Sequence, residues 1–500
     1  MNQNLDLSAA PGAPRVIPRS EHPVSRSNIS PNALRVLYRL KEAGFQAFLV
    51  GGCVRDIILG LHPKDFDVAT DALPEQVRRL FRNCRLVGRR FRLAHIVYGR
   101  DVIEVATFRA ASAPPPSEEP VPSREEDEAE LLDAGDDLPE DDPLESTLPY
   151  EQDRGGGGAG GAGGAAHRVQ NDHGRLLRDN MYGSIDEDVW RRDFTVNALY
   201  YNIADFSIWD YMGGLADIQA KRLRLIGDVE TRYREDPVRM LRAARFEAKL
   251  GFTVDPASAA PIPQLRSLLA GVPAARLFDE TSKLFLTGHG AASYRVLRER
   301  GLFAVLFPAV DRYLEQHPGS LVEELLIQGL KNSDARVLEE KPVTPTFLYA
   351  LLLYGPIAAA IEALPPQRWH EPQAILEACD RALREAQQRV SIPRRVSLGV
   401  REMYALQPRL EGPRGRRALR LLEQPRFRAA YDLLALRGSL GLAVPEVAQW
   451  WTRLQAAGAA EREQMVEASG GGRSAGAGAA AGPAAASGAA AAPRRRRRRR

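Results

Sequence analysis

The period of the apolar residues changes several times along the first hundred positions. Leu34, Val36, Leu37 and Leu40 recur at helical spacing from Pro31 onward, and Gly44 marks the stop. Gln46 to Val50 reads as a short strand, and Gly51-Gly52 turns the chain into a helix carrying Arg55. Phe66 to Thr70 reads as the next strand, and Pro74 to Arg82 as a helix with proline in its first turn. Leu93 to Tyr98 and Val102 to Phe108 predict an antiparallel pair joined at Gly99-Arg100-Asp101. The pattern fails between residues 111 and 172, where prolines, an acidic tract and a glycine run succeed one another. It resumes with a helix over Asp186 to Tyr201, a strand over Phe206 to Tyr211 and a turn at Gly213-Gly214. Glu235 to Gly251 reads as a basic amphipathic helix, and the chain beyond it is helical to about residue 465. The fold class expected is α+β: a small mixed sheet with helices, then an all-α region.

Composition divides this pattern into parts. Five hundred residues are too many for one small domain, and 44% hydrophobic content supports sizeable cores. We expect a disordered stretch over 1–27, a sheet domain over 28–225 with a disordered insertion over 111–172, and a helical neck over 226–290. A helical body over 291–465 and a low-complexity tail over 466–500 complete the division. The net charge is only +4, but it is segregated: acid in the insertion, arginine over Arg494 to Arg500. Such a tail attracts nucleic acid without reading its sequence. Three scattered cysteines exclude a disulfide framework and a zinc site. The N-terminus lacks the apolar stretch of a signal peptide, and no apolar run is long enough to span a membrane; the expected location is the cytoplasm.

Asp65 and Asp67 carry the first chemical signal. Strand side chains alternate, so an Asp-x-Asp pair on a strand aims both carboxylates to one face. Two crowded carboxylates call for a cation, and magnesium prefers a few carboxylates plus substrate phosphates to a full protein cage. The glycine turn upstream lets backbone N–H groups approach phosphates, with Arg55 one helical turn on. Arg191, Arg192 and Asp193 form a second cluster able to clamp a triphosphate, while Glu104 rivals Asp193 as a third carboxylate. A third cluster, Glu235, Asp236, Arg239, Arg242 and Arg245, combines acceptors and donors suited to a base edge.

The segment Leu49 to Thr70 and the run Arg191-Arg192-Asp193-Phe-Thr-Val-Asn197 resemble the class II nucleotidyltransferases, which include bacterial CCA-adding enzymes and bacterial poly(A) polymerases. The resemblance covers roughly residues 30–110 and 174–455, and it implies a polymerase-beta-like head followed by helical neck, body and RNA-binding regions. It implies further that Asp65 and Asp67 hold Mg²⁺ (or Mn²⁺), that Asp193 belongs to the catalytic set, and that Gly51, Gly52, Arg55 and Arg192 contact the nucleotide. Glu235, Asp236 and Arg239 would select the base, with Arg242 and Arg245 in support. Leu86 to Gly99, with Arg89, Arg90, Arg92 and His95, is similar to poly(A) polymerases rather than CCA-adding enzymes; His95 reads as a structural hydrogen bonder. The implied activity is template-independent addition of AMP from ATP to RNA 3′ ends by two-metal transfer, promoting RNA decay, by a monomer with no membrane partner. A CCA-adding enzyme is the nearer alternative, and a non-catalytic RNA-binding protein the more distant one.

Overall fold

The computed structural model describes residues 13–88, 92–110, 169–170, 176–178, 182–369, 371–412 and 415–470. The acidic and glycine-rich insertion (apart from a short β-ladder, Val169–Gln170 with Leu176–Arg178), the arginine tail, Arg89 and Arg90 lie outside the described residues.

An eight-stranded sheet forms the N-terminal half. Its strands are β1 (Arg15–Ile17), β2 (Ala47–Val50), β3 (Asp67–Thr70), β4 (Cys84–Val87), β5 (Leu93–Tyr98) and β6 (Asp101–Thr107). After the ladder strands β7 (Val169–Gln170) and β8 (Leu176–Arg178), β9 (Leu199–Asn202) and β10 (Ile208–Asp210) complete it. The order is β1-β10-β9-β2-β3-β6-β5-β4, with β3 and β6 parallel and the other neighbours antiparallel. The first helices are α1 (Pro31–Glu42), capped by the Ser30 hydroxyl accepting from Ala33 N–H, α2 (Gly52–Ile58) and α3 (Pro74–Leu80). The β5–β6 hairpin closes at Gly99-Arg100, with Tyr98 opposite Asp101.

The two sheet faces are unequal. Leu49, Val68, Ile96, Ile103 and Val105 point into the main core, which runs on into the helical region. Phe48, Val50, Ala69, Ala198 and Tyr200 point the other way, into a small cluster under α4 (Ile185–Arg191). Alternation puts Asp67, two residues before Ala69, on that second face at the strand's first position.

Several elements differ from the sequence expectation. Residues 15–17, inside the stretch expected to be disordered, form edge strand β1 on β10, and Ile17 is buried. Asp65 precedes β3 rather than lying within it. The helix expected over Asp186 to Tyr201 ends at Arg191; Arg192 is extended (φ −67°, ψ 159°), a short 3₁₀ turn covers Thr195–Asn197, and β9 follows. The Asp193 carboxylate causes part of this break, because it accepts from Phe194 N–H at 2.8 Å and so competes with helical hydrogen bonding. The helix expected over Glu235 to Gly251 is two: α5 (Gly214–Gln219) is followed by α6 (Val229–Glu235), and α7 (Val238–Leu250) starts beyond Pro237. Asp236 is the extended residue at the joint (φ −146°, ψ 91°). After a short strand, Thr253–Val254, that pairs in parallel with Arg222–Leu223, helices continue to Gly470. Among the described residues no single helix is long and apolar enough to cross a membrane.

Candidate active site

The sheet register aligns the acidic residues. Asp67 on β3 is paired with Glu104 on β6, and Glu104 in turn with His95 on β5. Register partners share a face, so the two carboxylates and the imidazole stand in one row, with exposed Asp65 at its mouth. His95 Nε2 is 3.6 Å from Glu104 Oε1. Burial first, then Glu104 and Asp65, push the Asp67 carboxyl up from its ordinary 3.8 to about 6, against the opposing pull of Arg192 and Arg242. That crowding of hard oxygen donors fits a divalent cation. Among the described residues no three such side chains cage an ion by themselves, which suits an ion that shares its shell with substrate phosphates.

Opposite the acid row lies the β2–α2 turn. Gly51 has φ +76° and ψ −138°, a conformation open almost only to glycine. A Cβ built there would sit 3.7 Å from Asp67 Oδ2 and 3.8 Å from Arg192 Nη1, so this turn lies against both the carboxylate and the guanidinium. Gly51→Ala is expected to cost about 1–3 kcal/mol of stability from backbone strain alone. Thermal unfolding measures that cost, and a raised KM for ATP in the same variant reports the narrowed cradle.

Arg192 is held from behind. Its Nε donates to Tyr200 Oη at 2.6 Å and its Nη2 to Asp188 Oδ2 at 3.1 Å, while Tyr200 donates to Asp188 at 2.8 Å. The guanidinium carbon lies 4.8 Å from the Tyr200 ring centre. These contacts leave Nη1 turned toward Gly51 and Asp67.

Arg55 and Asp193 take different positions. The Arg55 side chain is 2% exposed; it donates to Asp56 at 2.6 and 2.8 Å and to Asn197 Oδ1 at 2.5 Å. It therefore braces the turn from beneath. Asp193 accepts from Arg242 at 2.5 and 2.7 Å, from Phe194 N–H and from Asn197 Nδ2. Burial opposes its charge, yet Arg242 and the Phe194 and Asn197 donors hold the carboxyl well below the ordinary range. Asp193 thus ties the residues after α4 to α7.

The residues around the α6–α7 joint are also paired. Arg239 donates to Glu235 and to the Arg232 carbonyl, and Arg232 donates to Glu235 and to the carbonyls of Arg191 and Arg192. Asp236 is clamped bidentately by Arg276 at 2.7 and 2.8 Å. Arg55, Arg242 and Arg245 surround Phe246 with guanidinium carbons 5.3, 5.6 and 5.0 Å from its ring centre. Arg92, in the β4–β5 region, is exposed and pairs with Glu75.

Sequence reasoning missed Asp188, Tyr200, Arg232 and Arg276. The i,i+4 spacing of Asp188 and Arg192 was available as a signal. Arg276 lies 40 residues from Asp236, on the helix Ala274–Phe285, and no local pattern announces it.

Comparison with known proteins shows the family. Residues 47–224 match the family described as Poly A polymerase head domain. Residues 251–314 match "Probable RNA and SrmB- binding site of polymerase A", and residues 367–500 match "Polymerase A arginine-rich C-terminus". Poly(A) polymerase I of Salmonella typhi is 44% identical over 453 residues, covering 90% of this chain and 87% of that one. The CCA-adding enzyme of Bacillus subtilis is 34% identical over 266 residues, 53% of this chain and 52% of that one. A solved tRNA-processing enzyme in apo form shares the fold, with a TM-score of 0.54 at 22% identity over 89% of this chain and 98% of its own. The chain belongs to the bacterial poly(A) polymerase I family of class II nucleotidyltransferases.

Proposed function

We propose that this protein adds AMP from ATP, repeatedly and without a template, to the 3′ ends of RNA. The observation that carries the reading is the alignment of Asp67 with Glu104 across β3–β6, facing Arg192 over the Gly51 turn. Relatives named Poly(A) polymerase I at 44% identity over nine-tenths of the chain support the same conclusion.

Asp65, Asp67 and Glu104 are the residues placed to hold Mg²⁺ or Mn²⁺. Bound there, a divalent ion neutralises phosphate charge and makes the RNA 3′-hydroxyl easier to deprotonate. The chain's own residues do the rest. The Gly51–Gly52 turn offers backbone to the triphosphate, and the free Nη1 edge of Arg192 donates to it. Arg55 acts as a positioning residue that keeps the turn in place, and Asp193 as one that fixes Arg242. The 3′-oxygen attacks the α-phosphate in line, and pyrophosphate leaves without a covalent enzyme intermediate.

Base selection falls to the α6–α7 joint. Arg276 fixes the Asp236 carboxylate and leaves it one preferred orientation, as a rigid acceptor for an amino group on the base edge. Arg276→Gln is expected to reduce the ratio of kcat/KM for ATP over GTP, whose base has a carbonyl where adenine has its amino group, by about ten- to a hundredfold, the scale of one lost polar contact. Single-nucleotide incorporation with each NTP reads this directly; an unchanged ratio removes Arg276 from selection.

The test of the whole reading is purified protein, labelled oligo-RNA and each NTP in turn. Repeated addition of A is expected. Addition of CTP and then ATP that stops at CCA on tRNA would reassign the activity to the CCA-adding branch.

A further inference from the structure

We propose that a cavity in the helical body is a phosphate-binding subsite for the RNA strand behind its 3′ end, held by Arg409, Arg417 and Arg420. The proposal rests on the RNA-extending activity inferred above. The cavity measures about 320 Å³ and lies among the helices Arg394–Glu411, Arg417–Leu422 and Pro445–Ala456. Its lining includes Pro408, Leu421 and Trp451 beside the three arginines, and no carboxylate. Trp451 is fully buried, and its Nε1 donates to the Leu410 carbonyl at 2.9 Å.

The three arginines differ from the five paired arginines around them and are set apart from other exposed arginines of the body by lining one cavity. Arg401, Arg416, Arg426, Arg428 and Arg437 each pair with a carboxylate, on Asp380, Glu467, Glu402, Asp432 and Glu411 respectively. Arg409, Arg417 and Arg420 are exposed and form no ion pair or side-chain hydrogen bond with the described residues. Arg417 and Arg420 are three apart on one helix and so share a face, while Arg409 reaches the same cavity from another helix. Three like charges around one concavity repel each other and raise the local concentration of anions. The guanidinium fork matches a phosphate oxygen pair. With Trp451 buried, no aromatic face in the lining is open to a base. The cavity therefore reads charge and not sequence, as a tailing enzyme requires of the strand it has already made. The helix bearing Arg409 packs chiefly on other body helices and not on the strands that carry the acid row, and the proposal assigns its phosphates to nucleotides behind the reacting end.

The test uses the full chain with Arg409→Gln, Arg417→Gln and Arg420→Gln combined. Binding of a labelled oligoadenylate is followed by fluorescence anisotropy across a salt series. We expect affinity at physiological salt to fall about tenfold or more, and the slope of log K against log salt to shrink by about 1.4–2.1, the share of two to three phosphates on a single strand. KM for ATP on a saturating primer stays the same. The Arg→Lys triple variant keeps the salt slope, because it keeps the charges. A control with exposed Arg381 and Arg384, on the helix Pro372–Gln387, and exposed Arg389, just beyond its end, changed to Gln leaves affinity and slope unchanged. Tripolyphosphate supplies the same chemistry as a free ligand. If tripolyphosphate binding falls in the first variant while RNA binding does not, the site belongs to free nucleotides and the RNA assignment is wrong. Unchanged RNA affinity and slope, or an equal loss in the control, overturns the subsite. A wild-type protein that binds RNA but never extends it with ATP overturns instead the activity on which the proposal rests.

Discussion

Asp67→Asn will lower ATP-dependent RNA extension by about a thousandfold or more and, in the same molecule, stabilise the metal-free protein. The first effect follows from removing a central oxygen donor of the acid row: each 1.36 kcal/mol of lost transition-state stabilisation is a factor of about ten, and metal-assisted charge stabilisation amounts to several kcal/mol. The second follows from the Asp67 carboxyl itself, which burial, Glu104 and Asp65 push up to about 6 from 3.8. A carboxyl whose folded value is raised favours folding when protonated; that benefit is complete below about pH 4 and is lost as pH rises through about 6. At neutral pH the charged group therefore opposes folding, and the neutral amide relieves it by on the order of 1–3 kcal/mol. Thermal unfolding without metal should show the variant ahead of wild type above pH 6 and level with it below pH 4. Added Mg²⁺ should raise the wild type and leave the variant where it was. A variant that loses activity but gains no stability above pH 6 would remove carboxylate crowding from the account.

Glu104→Gln and Asp193→Asn should separate along different axes. Sequence leaves both as candidates for the third carboxylate. In the structure Glu104 stands beside Asp67 with half its side chain exposed (49%) and, among the described residues, pairs with His95, whereas Asp193 is enclosed by donors. We expect Glu104→Gln to fold with stability at or slightly above wild type, since it removes part of the crowding on Asp67, to lose about a hundred- to a thousandfold in kcat, and to bind Mn²⁺ more weakly. Asp193→Asn should keep its Mn²⁺ affinity but lose about 2–3 kcal/mol of stability, because Arg242 loses its carboxylate. That figure lies below the usual cost of breaking a buried pair because Arg242 is one-third exposed. The Asp193 contribution is present above its ordinary 3.8 and is lost as pH falls through its lower folded value, so the stability deficit of the variant should close only in strong acid. Manganese titration by electron paramagnetic resonance beside urea unfolding distinguishes the two. Wild-type metal affinity in Glu104→Gln would return the third position to Asp193.

Much of this protein was legible from local pattern. The period of the apolar residues predicted α1, β2 and the β5–β6 hairpin, because those elements bury one face and are bounded by glycine or proline. Asp65, Asp67, the glycine turn and Arg192 also stood out by residue type at short spacing, and the structure brings Asp67, Gly51 and Arg192 together. Tertiary structure decided what depends on partners far apart in sequence. The register of β6 against β3 brought Glu104 to Asp67 across 37 positions of chain, and an offset of one residue would have turned it to the other face. The fate of the buried charges was equally non-local. Arg55 turned inward to Asn197, Asp193 was taken by Arg242, and Asp236 was taken by Arg276 on a helix with no motif of its own. A charge removed from water must find its counterpart wherever packing brings one, and spacing along the chain carries no record of that meeting.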